Sequence, residues 1–259
     1  MHEAMPTIVS VHSYRGGTGK SNLTANLASS LVQQGKRVGV VDTDIQSPGL
    51  HVLFGMDVQS SGLTLNDYLY GRSTIEQVAH DVTAKLGSTV AKGGVLYLVP
   101  SSIKVGEITR VLREGYEVNL LTDGLRTLIK TFNLDYLFLD THPGLNEETL
   151  LSIIISDILV LILRPDQQDF QGTAVTVEVA RKLKLKQLLL VVNKVLPKLD
   201  AANLKDQLQD TYQAPVAGVL PVSEEMIELG SAGIFSLAYP EHPYSQGVRE
   251  VAAQILSAS

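Results

Sequence analysis

The chain has 259 residues, which suits one large α/β domain, and its 44% hydrophobic but only 5% aromatic content points to the aliphatic packing of a parallel sheet. It contains no cysteine, which excludes a disulfide framework, a thiolate zinc site and an iron–sulfur cluster held by its own side chains. With 21 basic and 27 acidic residues the formal net charge is −6, so any nucleic-acid site must be a local patch and not a property of the whole surface.

Apolar runs alternate with helical periodicity along the chain, the pattern of βαβ units. The reading starts with a strand at Ile8–His12, a helix at Lys20–Gln34 closed by Gly35, and a strand at Arg37–Val41. Residues 55–94 are less regular and predict short helices at Thr64–Tyr70 and Thr74–His80, with a loop over one end of the sheet. Further strands are expected at Val95–Val99, Tyr136–Leu139, Ile158–Leu163, Leu188–Val192 and Val216–Val219. Helices are expected at Lys104–Leu112, Thr122–Thr131, Gln168–Lys184, Ala201–Thr211 and Pro243–Leu256. No linker or repeat divides them, so residues 1–259 read as a single domain: a mostly parallel, twisted β-sheet with helices on both faces. The apolar runs Ile153–Ile155 and Ile158–Leu163 are broken by Ser156 and Asp157, well short of the ~20 residues of a membrane-spanning helix. No charged segment followed by a long apolar stretch marks a signal peptide, and a soluble, cytoplasmic protein is expected.

Between the first strand and helix lies Tyr14-Arg15-Gly16-Gly17-Thr18-Gly19-Lys20-Ser21-Asn22, a glycine-rich P-loop. Glycines let backbone N–H groups close around phosphate oxygens, and the helix N-terminus adds its positive dipole end. Lys20 can reach the terminal phosphates, and the Ser21 hydroxyl can ligate Mg²⁺. An ordinary Walker A loop has glycine where Tyr14 stands, and here the cation Arg15 follows it. The second strand ends in Asp42-Thr43-Asp44-Ile45-Gln46, carrying two carboxylates toward the ligand crevice of an open parallel sheet. Tyr136-Leu137-Phe138-Leu139-Asp140 is a buried strand that delivers Asp140 as a Walker B group for Mg²⁺. Asn193 ends a later strand with an amide suited to a purine edge. Leu196 stands where a guanine reader would place a carboxylate, so ATP is favoured over GTP.

These motifs resemble the deviant Walker A of the ParA/MinD family of P-loop ATPases, with Arg15 in place of the signature lysine. The resemblance covers nearly the whole chain. It implies MgATP as ligand, an ATP-bound sandwich homodimer, and an activating regulator protein, the cycle serving to position or partition a cargo. It implies that Arg15 reaches the partner's phosphates, that Asp44 orients the attacking water, and that Pro221 and Val222 flank the adenine. Asp42 reads as an outer, loop-ordering group. Pro143 and Gly144 form a sharp switching turn, while His142 departs from the family's usual Pro-Pro or Pro-Ala and reads as a loop filler before a proton relay. Arg164-Pro165-Asp166 matches an element near the dimer face.

Two other readings stay open: a metabolic P-loop enzyme of the dethiobiotin synthetase type, and a slowly hydrolysing nucleotide-dependent scaffold. The last helix carries an apolar stripe without a basic cluster, so direct membrane binding is not expected. Arg181, Lys182, Lys184 and Lys186 either complement a helix dipole or form a patch for non-specific DNA, which would associate the protein with the nucleoid.

Overall fold

A strand such as Ile158–Leu163 is apolar at every position and must be covered on both faces. In the computed structural model, which describes residues 5–258, eight strands form one sheet that meets this demand. The first half runs β1 (Thr7–His12), α1 (Lys20–Gln33), β2 (Arg37–Asp42), α2 (Leu50–Leu53), α3 (Val58–Ser61), α4 (Leu65–Leu69) and β3 (His80–Asp81). A 3-10 segment (Thr83–Thr89) leads to β4 (Val95–Val99), α5 (Val105–Glu114), α6 (Val118–Thr131) and β5 (Tyr136–Asp140). Then come α7 (Glu147–Ile155), β6 (Ile158–Leu163), α8 (Gln167–Lys182), β7 (Gln187–Val195), α9 (Ala201–Tyr212) and β8 (Val216–Pro221). The short helices α10 (Glu224–Leu229) and α11 (Phe235–Ala238) precede α12 (Pro243–Ser257).

The strand order is β3-β4-β2-β5-β1-β6-β7-β8, parallel throughout except for the antiparallel edge pair β3–β4. Alternate side chains divide between the faces. Val38, Val40, Phe138 and Val160 pack with Leu23, Leu27 and Leu31 of α1 and with Val248, Val251 and Ile255 of α12. Val41, Leu137 and Leu139 pack with Leu65, Leu125 and Leu128 from α4 and α6 on the other face. The apolar stripe of the last helix is therefore consumed by the core.

Beyond the short helices α2, α3, α10 and α11 and the 3-10 segment, which the sequence reading does not name, two segments differ from its expectation. Thr74–His80 is a turn and not a helix, and His80 opens the edge strand β3. Helix α7 is absent from the expected elements, because Leu150–Ile155 is apolar almost all round and shows no clear stripe. Its start is marked by Asn146, whose side chain accepts from the Thr149 N–H, followed by two glutamates in the first turn.

The topology sets the site. β1 is central, so the loop after it emerges mid-sheet. In β5, Asp140 is in register with Val11 on one side and Asp42 on the other, bringing both strand-end carboxylates beside the loop.

Candidate functional site

Gly17 and Gly19 have φ of 74° and 101°, backbone conformations that L side chains rarely adopt, and these turns wrap residues 13–19 into a cradle. A Cβ at Gly19 would lie 2.6 Å from Asn193 Nδ2, so glycine is required there on two counts. Helix α1 starts beneath the cradle with no acidic residue in its first turn and no side-chain cap at its N-terminus. Its free N–H groups and dipole thus face an opening that suits an anion. That opening is a cavity of about 260 Å³ lined by Gly16, Gly17, Gly19, Lys20, Ser21 and Asn22 with Asp44, Ser47, His142 and Pro143. Lys20 is buried, and Thr18 Oγ1 is enclosed with no protein partner.

Three carboxylates stand at the strand ends. Asp42 is fully buried and acts on its own loop: Oδ1 accepts from the Asp44 N–H, and Oδ2 from the N–H groups of Gly49 and Leu50. Burial, then the neighbouring Asp140, drives its pKa well above the ordinary carboxylate range. Asp140 is equally buried and is pushed up to about 6, chiefly by desolvation, with Ser21, Lys20 and Thr24 opposing the rise. Ser21 lies beside Asp140, Thr24 Oγ1 donates to its Oδ1 at 3.3 Å, and its Oδ2 is enclosed without a partner. An orphaned carboxylate oxygen beside a P-loop serine fits a hard cation. Among the described residues no group of three His, Asp or Glu forms a metal cage. A serine hydroxyl beside one carboxylate suits Mg²⁺, which takes one or two protein oxygens and fills its shell from phosphates and water. Asp44 Oδ1 accepts from the Ser47 N–H at 3.2 Å and pairs with His142 Nδ1 at 2.7 Å.

The two histidines at the site carry no pattern of their own in the sequence. His12, fully buried at the end of β1, holds Thr141 Oγ1 at 2.7 Å through Nδ1. The Thr141 hydroxyl hydrogen goes to the Val11 carbonyl, so the proton between the two side chains must sit on Nδ1. Burial first, then Lys20 and His142, lowers the His12 pKa to about 3, and Nε2 is left enclosed without a partner.

A second cavity of about 380 Å³ adjoins the first, lined by Gly17, Gly19, Asn22, Asn193, Pro221, Val222 and Ile227 among others. Asn193 Nδ2 donates to the Thr18 carbonyl at 2.8 Å, which leaves its amide oxygen as an acceptor. Lys194 Nζ donates to the Gly17 carbonyl at 2.8 Å. All the residues expected at the phosphates and the base, Arg15 apart, thus converge on two contiguous cavities or, for Thr18 and Asp140, on their walls.

Arg15 points elsewhere. Its Nη1 lies 3.8 Å from both Asp166 and Asp169 at the start of α8, while Tyr14 lies across Gly172, where a Cβ would fall 2.0 Å from Tyr14 Cδ1. The cations at the end of α8 sit at the opposite end of the parallel sheet from the P-loop. Arg181 donates to the carbonyls of Tyr212 and Gln213, Lys182 pairs with Glu178, and Lys186 pairs with Asp157. Arg181 is thereby anchored to the fold, while Lys182 and Lys186 are about three-quarters exposed in surface ion pairs. No helix among the described residues is long and apolar enough to cross a membrane.

The sequence profile of a family described as an AAA domain matches residues 6–195. An uncharacterized ATP-binding protein of Methanocaldococcus jannaschii is 26% identical over 255 residues, 98% of this chain and 89% of that one. The cell division ATPase MinD of Pyrococcus furiosus matches with a TM-score of 0.81 at 21% identity, covering 98% of this chain and 100% of that one. The septum site-determining protein MinD of Pyrococcus horikoshii, solved in complex with Mg-ADP, matches at 0.77 and 23%, covering 97% and 96%.

Proposed function

This chain belongs to the AAA-domain family, and from that premise we propose that it is a MgATP-dependent switch that hydrolyses ATP and dimerises around it to position a cargo. One observation carries the reading: Lys20, Ser21 and Asp44 line the cavity of the glycine cradle, and Asp140, its Oδ2 unpartnered, is buried beside Ser21 and Lys20. The adjoining cavity takes the base. With Nδ2 committed to the Thr18 carbonyl, Asn193 offers an acceptor to the amino group of adenine, where guanine would present a carbonyl. Pro221 and Val222 flank the ring.

The backbone N–H groups of residues 16–21 hold the phosphate oxygens, and Lys20 places its charge on the terminal ones. Ser21 and Asp140 are the residues that would hold Mg²⁺, which supplies charge neutralisation for the phosphates when bound. Asp44 orients the water that attacks the γ-phosphate in line. Its placement at the phosphate end of the cavity supports that role. Arg15 stands beside the cradle on an exposed edge and serves the partner's site in the dimer, where its planar fork suits phosphate.

The positioning role rests on the ParA/MinD resemblance and on the shared fold of proteins whose names refer to cell division and septum placement. A regulator protein would then set the timing of hydrolysis. Glu178 and Asp157 offset part of the charge of Lys182 and Lys186 at the surface, and Arg181 is tied to backbone carbonyls, which lowers the patch's net positive charge and favours protein contacts over DNA as the docking mode.

Light scattering of Asp44→Ala with ATP, with ADP and without nucleotide tests the switch. A dimer with ATP alone is expected. A monomer under all three conditions would reject the sandwich, and Lys20→Ala binding ATP like the parent would reject the site.

A further inference from the structure

We propose that His142 is a positioning residue for phosphoryl transfer, its ring fixing which oxygen of Asp44 faces the attacking water; this rests on the hydrolysis reading above. An ionised carboxylate only accepts hydrogen bonds, so the 2.7 Å contact between His142 Nδ1 and Asp44 Oδ1 places the proton on Nδ1. The Ser47 N–H donates to the same oxygen at 3.2 Å. Neither bond uses Oδ2. A carboxylate at the end of a short side chain otherwise turns through a broad, two-fold torsion, so two donors on Oδ1 select one orientation of the group.

Both side chains line the phosphate cavity together with Lys20 and Ser21, so the clamp acts where the reacting phosphate would sit. The support beneath His142 is firm. Thr149 Oγ1 donates to the Gly144 carbonyl at 2.9 Å, and the Thr149 N–H is held by the Asn146 cap of α7. On the other side, the Gly144 N–H donates to the Ser13 carbonyl at 3.1 Å. His142 is therefore carried on a turn tied both to α7 and to the P-loop, and its ring bridges that turn to the loop after β2. Closing the turn on a triphosphate would set the carboxylate and the water position in one movement.

Steady-state ATP hydrolysis and ATP affinity of the parent, His142→Ala, His142→Asn, Asp44→Ala and the Asp44→Ala/His142→Ala pair test this. His142→Ala is expected to lower kcat by about 10- to 100-fold with KM within about twofold, since it removes orientation and not binding. His142→Asn, whose amide N–H can replace Nδ1–H, is expected to recover most of kcat. The double variant should be no slower than Asp44→Ala alone. An unchanged kcat in His142→Ala, a raised KM with normal kcat, or losses that multiply in the double variant would overturn the proposal. Absence of turnover in the parent would instead strike the hydrolysis reading, so the two failures are distinct.

Discussion

Arg15 Nη1 lies 3.8 Å from Asp169 Oδ1, a carboxylate already gripped by Arg164 through its guanidinium and its backbone N–H. Asp169 is only 2% exposed, so it could not tolerate losing all its partners, but Arg164 suffices to satisfy it. Arg15, 40% exposed, can leave without stranding a buried charge. A half-exposed pair of this length contributes about 0–1 kcal/mol, less than a charge-assisted fork on a triphosphate would supply. Arg15→Ala should therefore leave the melting temperature and ATP affinity near those of the parent while abolishing the ATP-dependent dimer. Light scattering beside a nucleotide titration checks both halves; an intact dimer would remove Arg15 from the partner's site.

Asp140 costs stability at neutral pH. Its pKa is raised to about 6, mainly by burial, so the folded chain holds a proton there that the unfolded chain has released. The sign follows: stability falls as pH rises from about 4 through about 6, and at pH 7.5 the full cost of a buried charge is present. Asp140→Asn should melt higher than the parent at pH 7.5 without nucleotide, yet lose the dependence of ATP affinity on Mg²⁺. Chelation of Mg²⁺ by EDTA should weaken ATP binding in the parent and leave the variant unmoved. Thermal melts and titrations in paired buffers decide it.

His12 gives the opposite slope. Its folded pKa of about 3 lies below the ordinary value of 6.5, so between those limits the unfolded chain binds the proton and the folded chain does not. Stability held above pH 6.5 is thus lost as pH falls, by about 1.4 kcal/mol per pH unit for one proton. Lys20 and His142 face the ring and reinforce the effect. His12→Asn should flatten the acid limb of urea-unfolding stability between pH 6.5 and 4. Equal slopes for the two proteins would show that His12 is not the group being charged.

Much of the fold is legible in the sequence because an unbroken aliphatic run such as Ile158–Leu163 has few uses other than a strand covered on both faces, and every one of its residues is buried. The P-loop is readable for a different reason: a cradle of N–H groups needs glycine where φ is positive, as at Gly17 and Gly19. The pairing of His142 with Asp44 is not readable, because the two residues are 98 positions apart and meet only through the register of β2 and β5. The direction of Arg15 is hidden too, since it depends on α8 lying beside the loop and on Gly172 leaving room for the Tyr14 ring. Helix α7 escapes notice because its apolar residues from Leu150 on show no clear stripe, and the Asn146 cap with the two glutamates after it is what distinguishes it from a strand.

The end of β7 sends two side chains to consecutive carbonyls of the glycine cradle, Asn193 to Thr18 and Lys194 to Gly17. Lys194 takes a φ of 60° to do so. The floor of the base cavity and the rim of the phosphate cavity are consequently one mechanical part, stapled by two hydrogen bonds. A small molecule that wedged itself under Asn193 would loosen the grip on a triphosphate from behind, without competing for any group that touches a phosphate.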